Sequence, residues 1–418
     1  MINGLQFYKH TYNVQSETVI QPGLANMERA MALLNEPHKA FRSIHLAGTN
    51  GKGSTLTFLK EMLVGHGLKV GTFMSPGIID LHDQIQVDGV PVTQEELALV
   101  FKQMAEAGLS GLCTDFELLT CAAFVHFRNA GVDVAVVEAG MGGRFDSTNV
   151  IDGEVAVIPS IALEHTNFLG ETLTEIAWHK AGIIKNGASV CVGLVEPEVL
   201  SVLEQEAEAQ GAALYYAPKH FGLVNEQAIR IGNEWTFSPV LLSMRGQHQY
   251  DNAALAVASF LQFAEKMNVQ IDANVVLSAL QHAQLPFRFE ELLPNVFLDG
   301  AHNPASVEKL VQLLRQYSPG NTISIVIGML ADKDVKQVLE MLEQVSDDFY
   351  FVEIDNPRAM KARDMVALSA ASQKHVITDV ANLIKKNRDS NKVFVITGSL
   401  YLLSAIRQKL SEMVIGDE

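Results

Sequence analysis

Cysteine is scarce in this chain: three residues in 418, Cys113, Cys121 and Cys191. An odd number at those separations fits neither a disulfide framework nor a zinc site, so buried thiols in a reducing compartment are expected. Positive charge is also short, with 31 Lys and Arg against 48 Asp and Glu and a formal net charge of −17. Nucleic-acid binders usually carry a basic surface, so no nucleic-acid partner is expected, although a local basic site for a nucleotide is compatible with this balance. Long apolar runs are missing as well. The opening MINGLQFYKH has no stretch of signal-peptide length, and no segment approaches the length of a membrane span. A soluble, cytoplasmic protein without a membrane partner is expected. Fixed-period repeats and low-complexity tracts are absent too.

What the chain does have is apolar mass and alternation. Hydrophobic residues make up 48% and charged residues 19%, enough for large cores. The length suits two domains of ordinary size. Phe41 to Ala47, Lys69 to Met74, Asp133 to Val137 and Val155 to Ile161 read as short buried strands. Helical spacing runs from Ser54 to Gly65, from Thr93 to Ala107 and from Phe116 to Asn129. A second series starts near residue 288, with strands at Asn295–Leu298, Thr322–Ile327, Phe349–Ile354, Lys374–Thr378 and Lys392–Thr397. Helices at Ala305–Gln316 and Val335–Gln344 lie among them. The Ala-rich stretch His248–Met267 predicts a helix between the two series, and Leu285-Pro286 a hinge. Alternating strands and helices imply an α/β fold with mainly parallel sheets.

The richest chemistry lies in Gly48-Thr49-Asn50-Gly51-Lys52-Gly53-Ser54, between a strand and a helix. Glycines let the backbone curl so that successive N–H groups face inward, and the helix adds its positive end. Lys52 supplies a mobile charge for β- and γ-phosphates, and Ser54 or Thr55 a hydroxyl near a metal. The spacing meets the commonest phosphate-loop pattern only in part. Ligands of open parallel sheets collect at the carboxyl ends of strands. Three such ends carry candidate magnesium ligands: Ser75, Glu138 and His165. A capping or surface carboxylate is the plainer reading of Glu138, and a structural histidine that of His165. In the second series, Asp299-Gly300-Ala301-His302-Asn303-Pro304 follows a strand. There Asp299 could hold a ribose hydroxyl or the adenine region, or the segment could simply cap a helix at Asn303-Pro304. Arg288 could reach nucleotide phosphates or be a surface arginine.

In order along the chain, these residues resemble the folylpolyglutamate synthase and dihydrofolate synthase family, relatives of the Mur ligases. The resemblance runs from about Gly23 to Leu402. Its anchors are His45-Leu46-Ala47 with the loop to Ser54, and Glu138-Ala139-Gly140-Met141-Gly142-Gly143-Arg144-Phe145-Asp146-Ser147-Thr148-Asn149. Glu164-His165, Lys180-Ala181-Gly182, Gly246-Gln247-His248-Gln249 with Asn252, Arg288-Phe289-Glu290 and Asp299-Gly300-Ala301-His302-Asn303-Pro304 complete the set. The resemblance implies a P-loop ATPase domain over residues 1–286 and a smaller Rossmann-like, glutamate-ligase domain over 287–418. It also implies an ATP-dependent ligase that adds L-glutamate to dihydropteroate, to reduced folates, or to both, through an acyl phosphate. By the same resemblance Lys52, Lys180 and His165 serve catalysis, and Ser75, Glu138 and His165 bind two magnesium ions. Lys180 matches a lysine carried as a carbamate. Asn252, Arg288, Asp299 and His302 join the loop Gly48–Ser54 in holding ATP. A monomer is the implied state.

Three departures stand out. Where the family follows Ser-Pro with His-Leu and then Asn-Glu-Arg-Ile, this chain has Gly77-Ile78 and His82-Asp83-Gln84-Ile85, in a loop that in the family lies beside the pterin-bearing substrate. Glu164 stands for the usual Asp, and Pro286-Phe287-Arg288 for Pro-Gly-Arg. The altered loop motivates an alternative: a divergent paralogue joining another amino acid to a different carboxylate. A nucleotide-binding regulator without turnover is a third reading, against which Lys52, Glu138, His165 and Lys180 speak.

Overall fold

A computed structural model of the chain describes residues 4–17, 23–317, 322–387 and 392–415. It divides into two compact units, Met1–Ser243 with Gln249–Gln284, and Met244–His248 with Leu285–Glu418.

The first unit is built on an eight-stranded sheet. Its strands are β1 (Arg42–Leu46), β2 (Val70–Phe73), β3 (Ile85–Val87), β4 (Val90–Pro91), β5 (Val134–Glu138), β6 (Val155–Ile158), β7 (Ser189–Val192) and β8 (Ala213–Tyr216), in the order β4-β3-β2-β5-β1-β6-β7-β8. From β2 to β8 the pairings are parallel, while β3 and β4 form an antiparallel hairpin on one edge. Apart from Arg42 at the start of β1, every position of β1, β2, β5, β6 and β7 is buried, as a doubly covered sheet requires, and β2, β5 and β6 are mainly apolar. On one face Phe101, Phe124 and Phe127 anchor the core; on the other Ile158, Ile183, Val192 and Leu203 do. β1 lies between β5 and β6, so the chain winds away from it in both directions. The carboxyl end of β1 is therefore the topological switch point, the ordinary ligand crevice of such a sheet. A small antiparallel sheet of β9 (Phe221–Asn225), β10 (Ala228–Ile231) and β11 (Trp235–Phe237) follows.

Two boundaries differ from the sequence reading. The strand expected to reach Ile161 stops at Ile158, because Pro159 has no N–H for the ladder. The helix expected from Ser54 begins at Lys52, after Gly51 turns the chain at φ 88°. Neither β7, β8 nor the small sheet was anticipated. Three helix starts in this unit are fixed by reciprocal capping boxes, at Thr93/Glu96, Thr114/Glu117 and Thr172/Glu175, each worth roughly 1 kcal/mol.

The second unit carries β12 (Glu290–Leu293), β13 (Val296–Leu298), β14 (Ile323–Ile327), β15 (Asp348–Val352), β16 (Gln373–Ile377) and β17 (Val393–Thr397) in the order β12-β13-β17-β14-β15-β16. All neighbours are parallel except β12 and β13. Helices Pro304–Tyr317, Val335–Leu342, Ala362–Leu368, Val380–Lys386 and Leu400–Ile415 follow the parallel strands in turn, the Rossmann-like pattern. Among the described residues no helix is long and apolar enough to cross a membrane.

Candidate nucleotide and ligation site

The register of the first sheet assembles the site. Leu46, the last residue of β1, pairs with Glu138, the last of β5, so the loop leaving β1 starts beside that carboxylate. Glycine is required in that loop. Gly51 has φ 88°, and a Cβ there would stand 2.5 Å from Asn252 Oδ1 and 3.1 Å from Pro159. At Gly48 a Cβ would press on Pro159 and on the Ser160 carbonyl at 3.0 and 3.2 Å. The rest of the loop is held by the segment after β6. Thr49 N donates to Ser160 O (2.9 Å), and Asn50 N to Ser160 Oγ (3.1 Å). Ser160 Oγ donates to Asn50 O, and Thr49 Oγ1 both donates to Ala162 O and accepts from Ala162 N. Asn252 thus abuts the loop from the long helix Gln247–Met267.

Lys52, at the first position of the helix Lys52–Gly65, donates to Gly48 O (2.7 Å) and Thr49 O (3.3 Å), and its Nζ is 3.7 Å from Glu138 Oε1. The segment tied to the phosphate loop continues to Glu164 and His165. Glu164 forms an ion pair at 3.2 Å with Lys180, whose side chain is only 1% exposed at the end of the helix Leu173–Ala181. Burial pushes the Lys180 ammonium down to about 8, against the opposing pull of Glu164 and with help from the charge of Lys52. Burial pushes the Glu164 carboxyl up, but the charges of Lys52 and Lys180 outweigh it and hold the group below its usual range. Lys52, Glu164 and Lys180 therefore share one electrostatic neighbourhood. His165 adopts a left-handed φ of 48°, a conformation that costs a non-glycine residue roughly 1–2 kcal/mol.

Ser75 lies two residues beyond β2, whose Phe73 pairs with Val137 of β5; it follows the same edge of the sheet as Glu138. Among the described residues no three His, Cys, Asp or Glu side chains gather as a metal cage. A carboxylate and a hydroxyl beside a phosphate loop nevertheless suit magnesium, which takes oxygen ligands and fills its shell with water and phosphate oxygens. The imidazole of His165 is the unusual member of that set.

Some supporting residues are anchors of the resemblance to which the sequence assigned no role. Asp146, within the anchor Glu138–Asn149, accepts from Met141 N, Thr148 N and Thr148 Oγ1, which fixes the Gly-rich turn after β5. Burial pushes its carboxyl up. Thr148 Oγ1 is 2.9 Å from Nε2 of His45, a fully buried β1 residue that burial pushes down to about 3. Glu164, read from sequence only as a mild substitution, is the partner of Lys180. A polar residue inside an apolar strand, as His45 is, was the one available hint.

In the second unit the structure groups Arg288, just before β12, with Asp299, Gly300 and His302, just after β13. Asp299 accepts from Phe289 N and Ala301 N, each at 3.0 Å, and desolvation pushes its carboxyl up despite Arg288. His302 Nδ1 donates to Gly300 O (2.8 Å). Arg288 Nη1 lies beside Gly300 and donates to Phe287 O, so it is not a loose surface group. The helix-cap reading holds for Asn303, whose Oδ1 accepts from Ser306 N, but not for Asp299 or His302. His248 carries a neutral ring, pushed down to about 4 by burial and then by Arg288 and Lys309. A cavity of about 750 Å³ lined by Tyr215, His220, Trp235 and Leu261 lies in the first unit, and none of the expected site residues lines it.

A glycine-rich loop at the switch point, with Lys52, Glu164 and the buried Lys180 in one electrostatic neighbourhood, suits a nucleotide-dependent transferase or ligase. Residues 46–260 match the Mur ligase middle domain, and residues 288–400 the Mur ligase glutamate ligase domain. The Bacillus subtilis dihydrofolate synthase/folylpolyglutamate synthase is 38% identical over 94% of this chain and 95% of its own length. Two solved structures share the fold over 97–98% of each chain at 28% identity. These are Escherichia coli FolC in complex with DHPP and ADP, at a TM-score of 0.88, and the Yersinia pestis bifunctional folylpolyglutamate synthase/dihydrofolate synthase complexed with AMPPNP and Mn ion, at 0.87. The chain belongs to the dihydrofolate synthase/folylpolyglutamate synthase family of Mur ligases, and is an ATP-dependent ligase of glutamate to folate-type acids.

Proposed function

We propose that the chain activates a pterin-bearing carboxylate, dihydropteroate or a reduced folate, as an acyl phosphate and passes it to the amine of L-glutamate. The acceptor carboxylate oxygen attacks the γ-phosphorus of ATP, and ADP leaves with the bonding electrons. The glutamate nitrogen then attacks the acyl carbon, phosphate departs, and the amine gives up a proton. Such chemistry asks mainly for positioning and charge stabilisation. In this reading the backbone of Gly48–Ser54 cradles the phosphates and Lys52 moves from its loop carbonyls to the β,γ-bridge. Asn252, and separately Arg288, Asp299 and His302, are the residues assigned to orienting the nucleotide. Magnesium bound by Ser75, Glu138 and His165, in two sites, would neutralise charge on the transferred group; the relative with Mn ion and AMPPNP supports a divalent metal with ATP.

The observation that carries the reading is the buried Lys180–Glu164 pair, both members of which feel the charge of Lys52. With basicity lowered to about 8, roughly a tenth of the Lys180 amine is neutral at pH 7. That fraction can attack CO2, form an N–C bond and release a proton, giving a carbamate whose oxygens suit a second metal. The protein acts in the cytoplasm as a monomer, without nucleic-acid or membrane partners, in keeping with its net charge of −17. Hydroxylamine added during turnover should trap the acceptor as its hydroxamate; trapping that never exceeds a control without ATP would remove the acyl phosphate. The reading as a divergent paralogue draws on the loop from Gly77 to Ile85, and turnover only with a non-pterin acid would favour it.

A further inference from the structure

The loop between β2 and β3 departs most from the family pattern, and its shape has its own cause. Asp83 accepts from Ile78 N with both oxygens at 3.0 Å and also from Ile79 N, while its carbonyl accepts from Gln86 Nε2 at 2.8 Å. Gly77 leaves no room for a Cβ against the Asp80 carbonyl. Asp80 Oδ1 accepts from His82 N at 2.7 Å and lies 3.2 Å from His82 Nδ1. An ionised carboxylate can only accept, so Nδ1 carries a proton toward Asp80. The other ring nitrogen, Nε2, is hydrogen-bonded to the hydroxyl of Tyr8 at 2.7 Å.

Tyr8 comes from outside the loop, on the helix Leu5–Thr11. Its ring is buried and stacked on Phe101 at 5.2 Å, and burial followed by Asp80 pushes its hydroxyl up to about 12, so it stays protonated. The next residue, Lys9, donates to Asp115 Oδ1 at 2.7 Å and to Ser16 Oγ at 2.5 Å. Burial pushes the Asp115 carboxyl up, but its bonds from Lys9 and Ser16 prevail and hold it below the usual range. Asp115 opens the helix whose next residue, Phe116, stacks on Phe73 of β2 at 5.8 Å and closes over Gly140. One short helix is thus fastened to both flanks of the β2 end: to the loop through Tyr8, and to the helix behind it through Lys9. On the loop itself Ile79 is 66% exposed, an apolar side chain at the ligand-collecting edge of the sheet.

We propose that Tyr8, acting through His82 and Asp80, is a positioning residue for the acceptor: it locks the loop Gly77–Gln84 in the shape that receives the flat, apolar body of an aryl carboxylate. Lys9 sets the opposite anchor. The proposal rests on the ligase reading above.

Tyr8→Phe removes one hydroxyl and keeps the stacking on Phe101. A lost hydrogen bond of ordinary worth predicts about a five-fold rise in KM for the pterin acceptor, with KM for ATP and glutamate and kcat within about two-fold. Amide exchange at Ile78 and Ile79 should quicken in the same variant. His82→Ala, on the more exposed side of the bond, should reproduce both effects and serves if Tyr8→Phe does not fold. An acceptor KM unchanged in both variants, or rising in step with the KM for ATP, overturns the assignment. Unchanged amide exchange at Ile78 and Ile79 overturns the latch whatever the turnover. A wild-type enzyme inert with every pterin acceptor overturns the ligase reading instead, and the exchange measurement still decides the latch.

Discussion

Two loops leave β1 and β2, the two strands that flank β5 in the same sheet, and they hold their shape in opposite ways. The phosphate loop after β1 is a backbone object. Gly51 sits at a φ of 88° with no space for a side chain, and its amides and hydroxyls are tied to Ser160 and Ala162. The loop after β2 is a side-chain object, drawn together by Asp80 and Asp83 and held from outside by Tyr8. Backbone-determined shape tolerates almost no substitution, because every change meets a wall. Side-chain-determined shape can be rewritten residue by residue, which is how an acceptor loop can change while the phosphate chemistry beside it does not.

The comparison breaks first at Lys52. Lys52→Ala should lower turnover about a thousand-fold with little change in thermal midpoint, measured as ADP release and by calorimetry; near-normal turnover would remove the loop's assignment. Next comes Lys180→Met, which leaves Glu164 buried without its cation. It should cost about 3 kcal/mol of stability and roughly a hundred-fold in kcat, while bound ATP analogue persists in titration calorimetry. If ATP affinity is lost in parallel, Lys180 serves the nucleotide and not the ligation step. Gly51→Ala should raise KM for ATP at least about ten-fold through a strained φ and the contact with Asn252.

These effects follow how legible each part is in the sequence. The loop after β1 stands out because glycines recur between a strand and a helix, and β5 up to Val137 and β6 are continuous apolar runs. β7 and β8 escaped notice because Ser189 and Cys191 interrupt the apolar run of β7, while β8 is only partly buried. The chain His45–Thr148–Asp146 was invisible for another reason: it joins residues about a hundred positions apart, and no local pattern encodes such a contact. Glu164 looked like a mild exchange until its partner Lys180 came into view. The Tyr8–His82 bond, 74 residues apart in sequence, belongs to the same class.

A smaller prediction concerns that hidden scaffold. His45 has a folded value of about 3 against 6.5. Its contribution is therefore whole above about pH 6.5 and fades as pH falls toward 3, because the unfolded chain takes up the proton first. Urea unfolding should show a slope in that window worth on the order of 4 kcal/mol at its acid end, and His45→Gln should flatten it. An equal slope in that variant would place the acid sensitivity elsewhere, for example at His248. Smaller still is Asp83→Asn, which weakens the loop's own clasp and should raise acceptor KM about three-fold without moving KM for ATP, read from initial rates.

The most direct test of the whole account is an acceptor panel on the purified protein, with ATP, magnesium and L-glutamate and with product masses recorded. The account predicts phosphate release that requires both glutamate and a pterin-bearing acid, with product heavier than that acid by whole glutamate residues. ATP binding without release, or release indifferent to glutamate, would contradict it.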